Sequence, residues 1–239
     1  MGFEALATTS AGFAFSVGRR DSAGGLSRDD ILENAREIVD ATDLPVSADL
    51  EDGFGVSPEA CAETIGFASE MGLVGGSIED ATGNPDKPIF EFEHAVERVV
   101  AASEMSQSLP FLLTARAENF LYDHHDLDDT IRRLQAFAAA GADVLYAPGL
   151  PTLDAIHTVC TSVEKPVNVV MGLGGPRFSV DQLQQVGVKR ISVGGAFARA
   201  ALGEFMRAAT EVKEKGTFEF SVDAISDAEA SSFMVKAKR

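Results

Sequence analysis

The sequence predicts an α/β fold, a parallel (β/α)8 barrel of the TIM type, on three observations. First, apolar runs end repeatedly in acids. Val46-Ser47-Ala48 leads into Asp49-Leu50-Glu51-Asp52, Val74-Gly75-Gly76-Ser77-Ile78 into Glu79-Asp80, and Phe111-Leu112-Leu113-Thr114-Ala115 into Arg116-Ala117-Glu118. A strand that turns charged only at its end suits a barrel whose chemistry sits at the C-terminal rim. Second, strand-like and helix-like stretches alternate with short connections, which implies βα units and a parallel sheet. Third, the chain has 239 residues, the size of one large domain.

Each element has a local reason. Ala5 to Thr9 is apolar enough for a short strand, and Arg19 to Gly25 reads as a loop. Ser27 with Asp30 makes a capping box, ahead of a helix that buries Ile31, Leu32, Ala35, Ile38 and Val39. Pro45 opens the first acidic strand. Ser57-Pro58 is a cap with proline at the first helical position, and that helix stops at Gly72. Ala81 to Ile89, rich in Gly, Pro, Asn and Asp, reads as a loop and a candidate lid. A helix follows from about Glu91 to Met105, then the Phe111 strand, then a helix from Asp126 to Ala140 closed by Gly141.

Val144 to Tyr146 is a strand, with a helix after Pro151. Pro166 to Met171 is another strand, ending in Gly172-Leu173-Gly174-Gly175. A short helix spans Val180 to Val186, Arg190 to Val193 is the last strand, and Gly194-Gly195 opens a helix reaching about Lys215. Seven strands result, whereas a complete barrel has about eight in about 250 residues. The expectation is that the first βα unit is missing ahead of Met1. Residues 1–216 are expected to form the barrel domain, and 217–239 a C-terminal tail packing on the barrel or on a partner subunit.

Composition narrows the function. The formal net charge of −17 argues against nucleic-acid binding, which needs a basic face. Sixteen phenylalanines without a tryptophan read as core, not as a stacking surface for bases. Cys61 and Cys160 are isolated and lack metal-ligand spacing, so a reduced, cytoplasmic protein is expected. No apolar run is long enough to span a membrane, and no secretion signal opens the chain. Several carboxylates converging at one rim would repel one another unless a cation held them. Hard carboxylate oxygens suit Mg²⁺ or Mn²⁺. Any one acid alone reads equally well as a cap or a solvated charge, but three successive strands ending this way favour the shared cation.

These residues resemble the isocitrate lyase/phosphoenolpyruvate mutase superfamily over essentially the whole chain. The marks are Ala48 to Gly55, Ser77-Ile78-Glu79-Asp80, Thr114 to Phe120, and Gly141 to Tyr146. The resemblance implies a modified TIM barrel that assembles as a homodimer or homotetramer, often by swapping the last helix. It implies that Asp49 and Glu51 hold a metal partly through water, with Glu79 as the next acid of that network. Arg116 matches the arginine that contacts an oxo-acid substrate, and Thr9-Ser10 lie where small polar residues bind its carboxylate. Asp21, in Arg20-Asp21-Ser22, matches an acid near the reacting end in phosphonate-handling members.

Two departures restrict the reaction. The lyases of isocitrate and methylisocitrate carry a Lys-(Lys/Arg)-Cys-Gly-His loop, where this chain reads Glu79 to Lys87 with neither cysteine nor histidine. The mutases place a histidine where this chain has Ala147, between Tyr146 and Pro148. The expectation is therefore a Mg²⁺-dependent lyase or decarboxylase. It would cleave a C–C bond beside the enolate-forming carbon of a small 2-oxo or 2-hydroxy di- or tricarboxylate. The alternatives are a phosphonopyruvate hydrolase or mutase-type C–P enzyme, and a truncated non-catalytic relative.

Other residues have two readings. Glu118 orients Arg116 or a metal-bound water, or forms an ion pair with no chemical role. Asp52 and Asp80 stand next to metal candidates, but adjacent side chains on a strand point to opposite faces, so they read equally as supporting or capping groups or as ligands, Asp80 being the better candidate. Gly194 and Gly195 form an anion site at a helix N-terminus, or simply a tight βα turn. Lys87 reaches the substrate or is solvated. His124-His125 diverge on a solvated loop, and His94 and His157 sit on helix surfaces.

Overall fold

The computed structural model of the chain describes residues 2–21 and 24–234. Seven parallel strands form one sheet, its spatial order the same as its sequence order. They are β1 (Leu6–Ala7), β2 (Val46–Asp49), β3 (Gly75–Glu79), β4 (Leu112–Arg116), β5 (Val144–Tyr146), β6 (Val167–Val170) and β7 (Arg190–Ser192). The helices are α1 (Ser10–Ser16), α2 (Arg28–Asp40), α3 (Pro58–Glu70), α4 (Phe92–Ser106), α5 (Leu127–Ala139), α6 (Leu153–Ser162), α7 (Val180–Gln185), α8 (Ala196–Lys215) and α9 (Asp227–Ser232). This is a TIM-type α/β barrel, nearly closed. Arg190 on β7 donates from Nη2 to Ser47 Oγ on β2 at 2.8 Å.

The expected caps form. Ser27 and Asp30 exchange both bonds of a capping box at α2, and Ser57 accepts from Ala60 N at α3 with Pro58 in the first turn. Helix α1 has no counterpart among the expected elements. At seven residues, with Gly12 inside, it is too short for periodicity to register. Its cap is Thr9, whose side chain accepts from Gly12 N.

The core lies between strands and helices and joins Leu50, Ile65, Leu113, Ala115, Leu134, Phe137 and Leu145, each fully buried. Each large side chain there contributes roughly 1.5–3 kcal/mol of burial. Packing is tight where β3 passes the first acidic loop. A Cβ on Gly76 would lie 2.6 Å from Leu50 Cδ1 and 3.0 Å from Phe111 Cζ, so any side chain there would force those buried groups to shift.

Register places the rim. Asp49 pairs with Ser77, Glu79 with Arg116, and Arg116 with Tyr146. In-register parallel strands therefore put the acids and the arginine side by side at one end of the sheet.

Chain contacts divide into two compact units, residues 1–196 and 197–239. In the second, most of α8 is followed by a turn at Gly216 and a short 3-10 segment at Glu219–Val222. The Glu211 carboxylate holds that turn by accepting from Thr217 Oγ1 at 2.7 Å, Glu219 N at 2.7 Å and Phe220 N at 3.1 Å. No residue of α8 is buried, and Phe205, Met206, Phe218 and Phe233 are all exposed.

Candidate active site

A cavity of about 900 Å³ opens at the C-terminal end of the strands. Its floor is organised by Arg116, the last residue of β4. The guanidinium meets three carboxylates: Nε to Glu118 Oε1 at 2.8 Å, Nη1 to Asp49 Oδ1 at 3.0 Å and Nη2 to Glu79 Oε2 at 3.0 Å. Its carbon lies 5.0 Å over the Tyr146 ring. Burial alone would push the arginine toward its neutral form, but Glu118, Glu79 and Asp49 outweigh that and hold it charged. Burial also pulls Glu79 and Glu118 toward protonation, with Arg116 opposing. One cation among three acids leaves negative charge in surplus.

Asp49 is the most engaged of the acids. Besides Arg116 it accepts from Ser10 Oγ at 3.1 Å and Ser10 N at 3.4 Å, and its own N–H donates to Thr8 Oγ1 at 3.1 Å. Thus Ser10 faces Asp49 in this arrangement, and Thr9 caps α1.

Glu51 differs. Burial, then Asp49, Asp52 and Asp21, raise its carboxyl to about 7, while only a bond to Ser10 acts the other way. No salt bridge to Glu51 forms among the described residues. Its backbone is left-handed at φ 49°, and Gly53 (φ 78°) and Phe54 (φ 58°) follow suit. Such conformations in non-glycine residues cost on the order of 1–3 kcal/mol each and persist only where surroundings impose them. Here Arg98 of α4 does so. Fully buried, it donates to the carbonyls of Asp52, Gly55 and Val56, the last at 2.7 Å, and stacks over Phe90 at 4.3 Å. His94 adds a 2.8 Å bond to Val56 O.

Behind the floor, Asp80 accepts from Glu118 N at 2.8 Å and from Arg133 Nη1 at 3.0 Å. Asp129 accepts from Arg133 Nε at 2.8 Å and from Asn119 Nδ2 at 2.9 Å. A buried relay from α5 therefore fixes Glu118, and through it Arg116. Burial, opposed by Arg133, places the Asp80 carboxyl at about 7.

Of the residues singled out from sequence, Thr9, Ser10, Asp21, Asp49, Glu51, Glu79, Arg116, Glu118, Gly194 and Gly195 line the cavity. Asp21 is pushed upward by burial and by Asp49; its neighbour Ser22 lies outside the described residues. Asp29, Asp52 and Glu63 also line it. Lys87 and the four histidines do not. The Ala81–Ile89 loop is pinched at its base by an Ala81–Ile89 bridge.

Sequence reasoning passed over Tyr122, Leu121, Val170 and Leu173 as cavity walls, and Tyr146 except as an element of a motif. One signal was available: the chain has only two tyrosines, and both line the cavity.

Among the described residues no three His, Cys, Asp or Glu side chains stand ready to cage a metal by themselves. The donor set still fits a hard cation. Its oxygens are carboxylates, Glu51 has no positive partner, and Mg²⁺ ordinarily keeps several waters and uses one or two protein carboxylates.

The family model for phosphoenolpyruvate phosphomutase matches residues 1–213. The 2-methylisocitrate lyase of Escherichia coli K12 is 28% identical over 237 residues, covering 94% of this chain and 78% of that protein. A crystal structure from Burkholderia cenocepacia J2315, provisionally described as a lyase/mutase, superposes with a TM-score of 0.94 at 55% identity. It covers 97% of this chain and 83% of that one. The crystal structure of 2,3-dimethylmalate lyase gives a TM-score of 0.85 at 26% identity, covering 97% and 82%.

Proposed function

Since the chain belongs to the phosphoenolpyruvate mutase/isocitrate lyase superfamily, we propose that it is a metal-dependent lyase or decarboxylase. It cleaves a C–C bond next to the enolate-forming carbon of a small 2-oxo or 2-hydroxy acid. The observation that carries this is the rim itself: Asp49, Glu79 and Glu118 share Arg116, while Glu51 sits among acids without a cation. Asp49, Glu51 and Glu79 would hold Mg²⁺ or Mn²⁺. A bound divalent ion supplies Lewis acidity at the oxo and carboxylate oxygens of the substrate.

The chain's own residues do the positioning. Arg116, fixed by Glu118, steers the oxo acid into place and stabilises negative charge at its end of the cavity. Thr9, Ser10, Gly194 and Gly195 line the same cavity and would border the substrate. Two relatives named for lyases, of 2-methylisocitrate and of 2,3-dimethylmalate, support a carbon–carbon rather than a phosphoryl reaction. Asp21 in the cavity and the match to the phosphoenolpyruvate phosphomutase family model favour a C–P bond enzyme instead.

The test is a Mn²⁺ titration beside a turnover screen of 2-oxo and 2-hydroxy acids, with phosphonopyruvate included. Metal binding and C–C cleavage are expected in the native protein, with both lost in a folded Glu51→Ala, Glu79→Ala double variant. Full activity of that variant removes the metal role, and phosphate release from phosphonopyruvate selects the C–P reading.

Assembly follows from the second unit. Phe205, Met206, Phe218 and Phe233 are all exposed in this unit, and we infer that they pack on a second copy. Light scattering should give a dimer or tetramer, and Phe205→Asp should shift it toward monomer.

A further inference from the structure

Of the three acids read as metal ligands, two are placed by the sheet and one is not. Asp49 ends β2 and Glu79 ends β3, so the strand ladder fixes both. Glu51 stands two residues past β2, on a loop, with its backbone left-handed at φ 49°. Its amide donates to Asp49 Oδ1 at 3.4 Å, and its carbonyl accepts from Glu79 N at 2.9 Å. The Glu51 backbone thus bridges the other two acids, and the direction of its carboxylate depends on what holds the loop.

That hold comes from the outer helices. Arg98 of α4 is 1% exposed, and among the described residues no carboxylate forms a salt bridge to it. A buried charge ordinarily takes an opposite charge as its partner; this one takes the loop carbonyls. Nη2 donates to Asp52 O, and Nη1 donates to Gly55 O at 2.5 Å and to Val56 O at 2.7 Å. One planar fork therefore ties the residue after Glu51 to the far side of the turn. From α3, Thr64 Oγ1 donates to Gly53 O at 2.8 Å. The loop has no slack against that helix: a Cβ on Gly53 would lie 2.9 Å from Cys61 Sγ, and one on Gly55 2.6 Å from Ala60 Cβ. Left-handed residues such as Glu51 and Phe54 keep that conformation only where surroundings impose it.

We propose that Arg98 is a positioning residue for the metal: by clamping Asp52, Gly55 and Val56 it preorganises Glu51 as a ligand, and so sets metal affinity without touching the ion. This rests on the metal-dependent reading above. Groups that orient metal ligands from behind typically carry about 10–100-fold in affinity.

The experiment is a Mn²⁺ titration of the full chain by electron paramagnetic resonance, with urea unfolding of each variant in parallel. Arg98→Lys keeps the charge but not the fork, and should raise the Mn²⁺ Kd by about 10–100-fold. Thr64→Val, a milder change to the same loop, should raise it by about fivefold, the equivalent of one neutral hydrogen bond. Ile156→Ala, a core truncation on α6, should lower stability and leave the Kd unchanged. In a Glu51→Gln background, Arg98→Lys should have little further effect on the Kd, because it acts through that carboxylate. Native affinity in both loop variants overturns the inference and leaves the lyase reading standing. So does an equal loss in Ile156→Ala, or full additivity of Arg98→Lys with Glu51→Gln. If Arg98→Lys does not fold, Thr64→Val against Ile156→Ala decides by the same criteria. Absence of Mn²⁺ binding in the native protein overturns the metal-dependent reading, and this inference with it.

Discussion

Arg116 Nη2 lies 3.0 Å from Glu79 Oε2, and the two residues are register partners across β4 and β3. The pairing is thus built by the strand ladder itself. Removing the arginine strands buried carboxylates without a counter-charge, which typically costs 3–5 kcal/mol. Arg116→Met should lower the urea-unfolding free energy by about that much, and adding Glu79→Gln should recover part of it. A loss below about 1 kcal/mol would mean that the acids are not held in common.

Arg98 and the acidic loop give a second expectation. Without the guanidinium, the carbonyls of Asp52, Gly55 and Val56 lose their donor in a buried setting, at about 1–3 kcal/mol per unsatisfied group. Loss of a buried charge offsets part of this. Arg98→Met should destabilise by about 1–3 kcal/mol and raise amide exchange selectively at residues 53–56. Uniform exchange throughout the chain would show that Arg98 supports the core in general and not the loop.

The Arg133–Asp80 pair sets up a third. Both side chains are almost wholly buried, so Arg133→Met should cost about 3–5 kcal/mol. The double variant with Asp80→Asn should cost less than the two single changes combined, because each leaves the other group unpaired. A thermodynamic cycle from denaturant titrations measures that coupling; strict additivity would deny the relay.

The acidity of Glu51 makes stability depend on pH. Its carboxyl is raised from 4.5 to about 7, chiefly by burial and then by Asp49, Asp52 and Asp21. Below about pH 4.5 it is protonated folded or unfolded, and its favourable contribution to the fold is complete. As pH climbs through 7 it must ionise among acids, a penalty the unfolded chain escapes, and the contribution disappears. Tm should therefore fall between pH 5 and 8 in metal-free buffer, less steeply in Glu51→Gln. Mg²⁺ should restore most of the loss in the native protein and little in the variant. Identical pH slopes for the two would place the surplus charge elsewhere.

Much of this was legible in the residues. Acid-ended strands, the Ser27–Asp30 box and Ser57-Pro58 each act through neighbours in sequence, so pattern reading finds them. Helix α1 escaped because seven residues cannot display a stripe, and the hold of Arg98 on the acidic loop escaped because its partners lie more than 40 residues away. In the fold an arginine of the chain stands between Asp49, Glu79 and Glu118, whereas Glu51 forms no salt bridge among the described residues.

By itself the sequence determined the order of strands and helices and which residues stand at strand ends, because apolar periodicity and capping are local properties. Tertiary structure alone decided which acid meets which arginine, and which wall of the cavity is apolar. Those outcomes depend on strand register and on side chains arriving from distant helices, and Coulomb and packing forces act on distance in space, not along the chain.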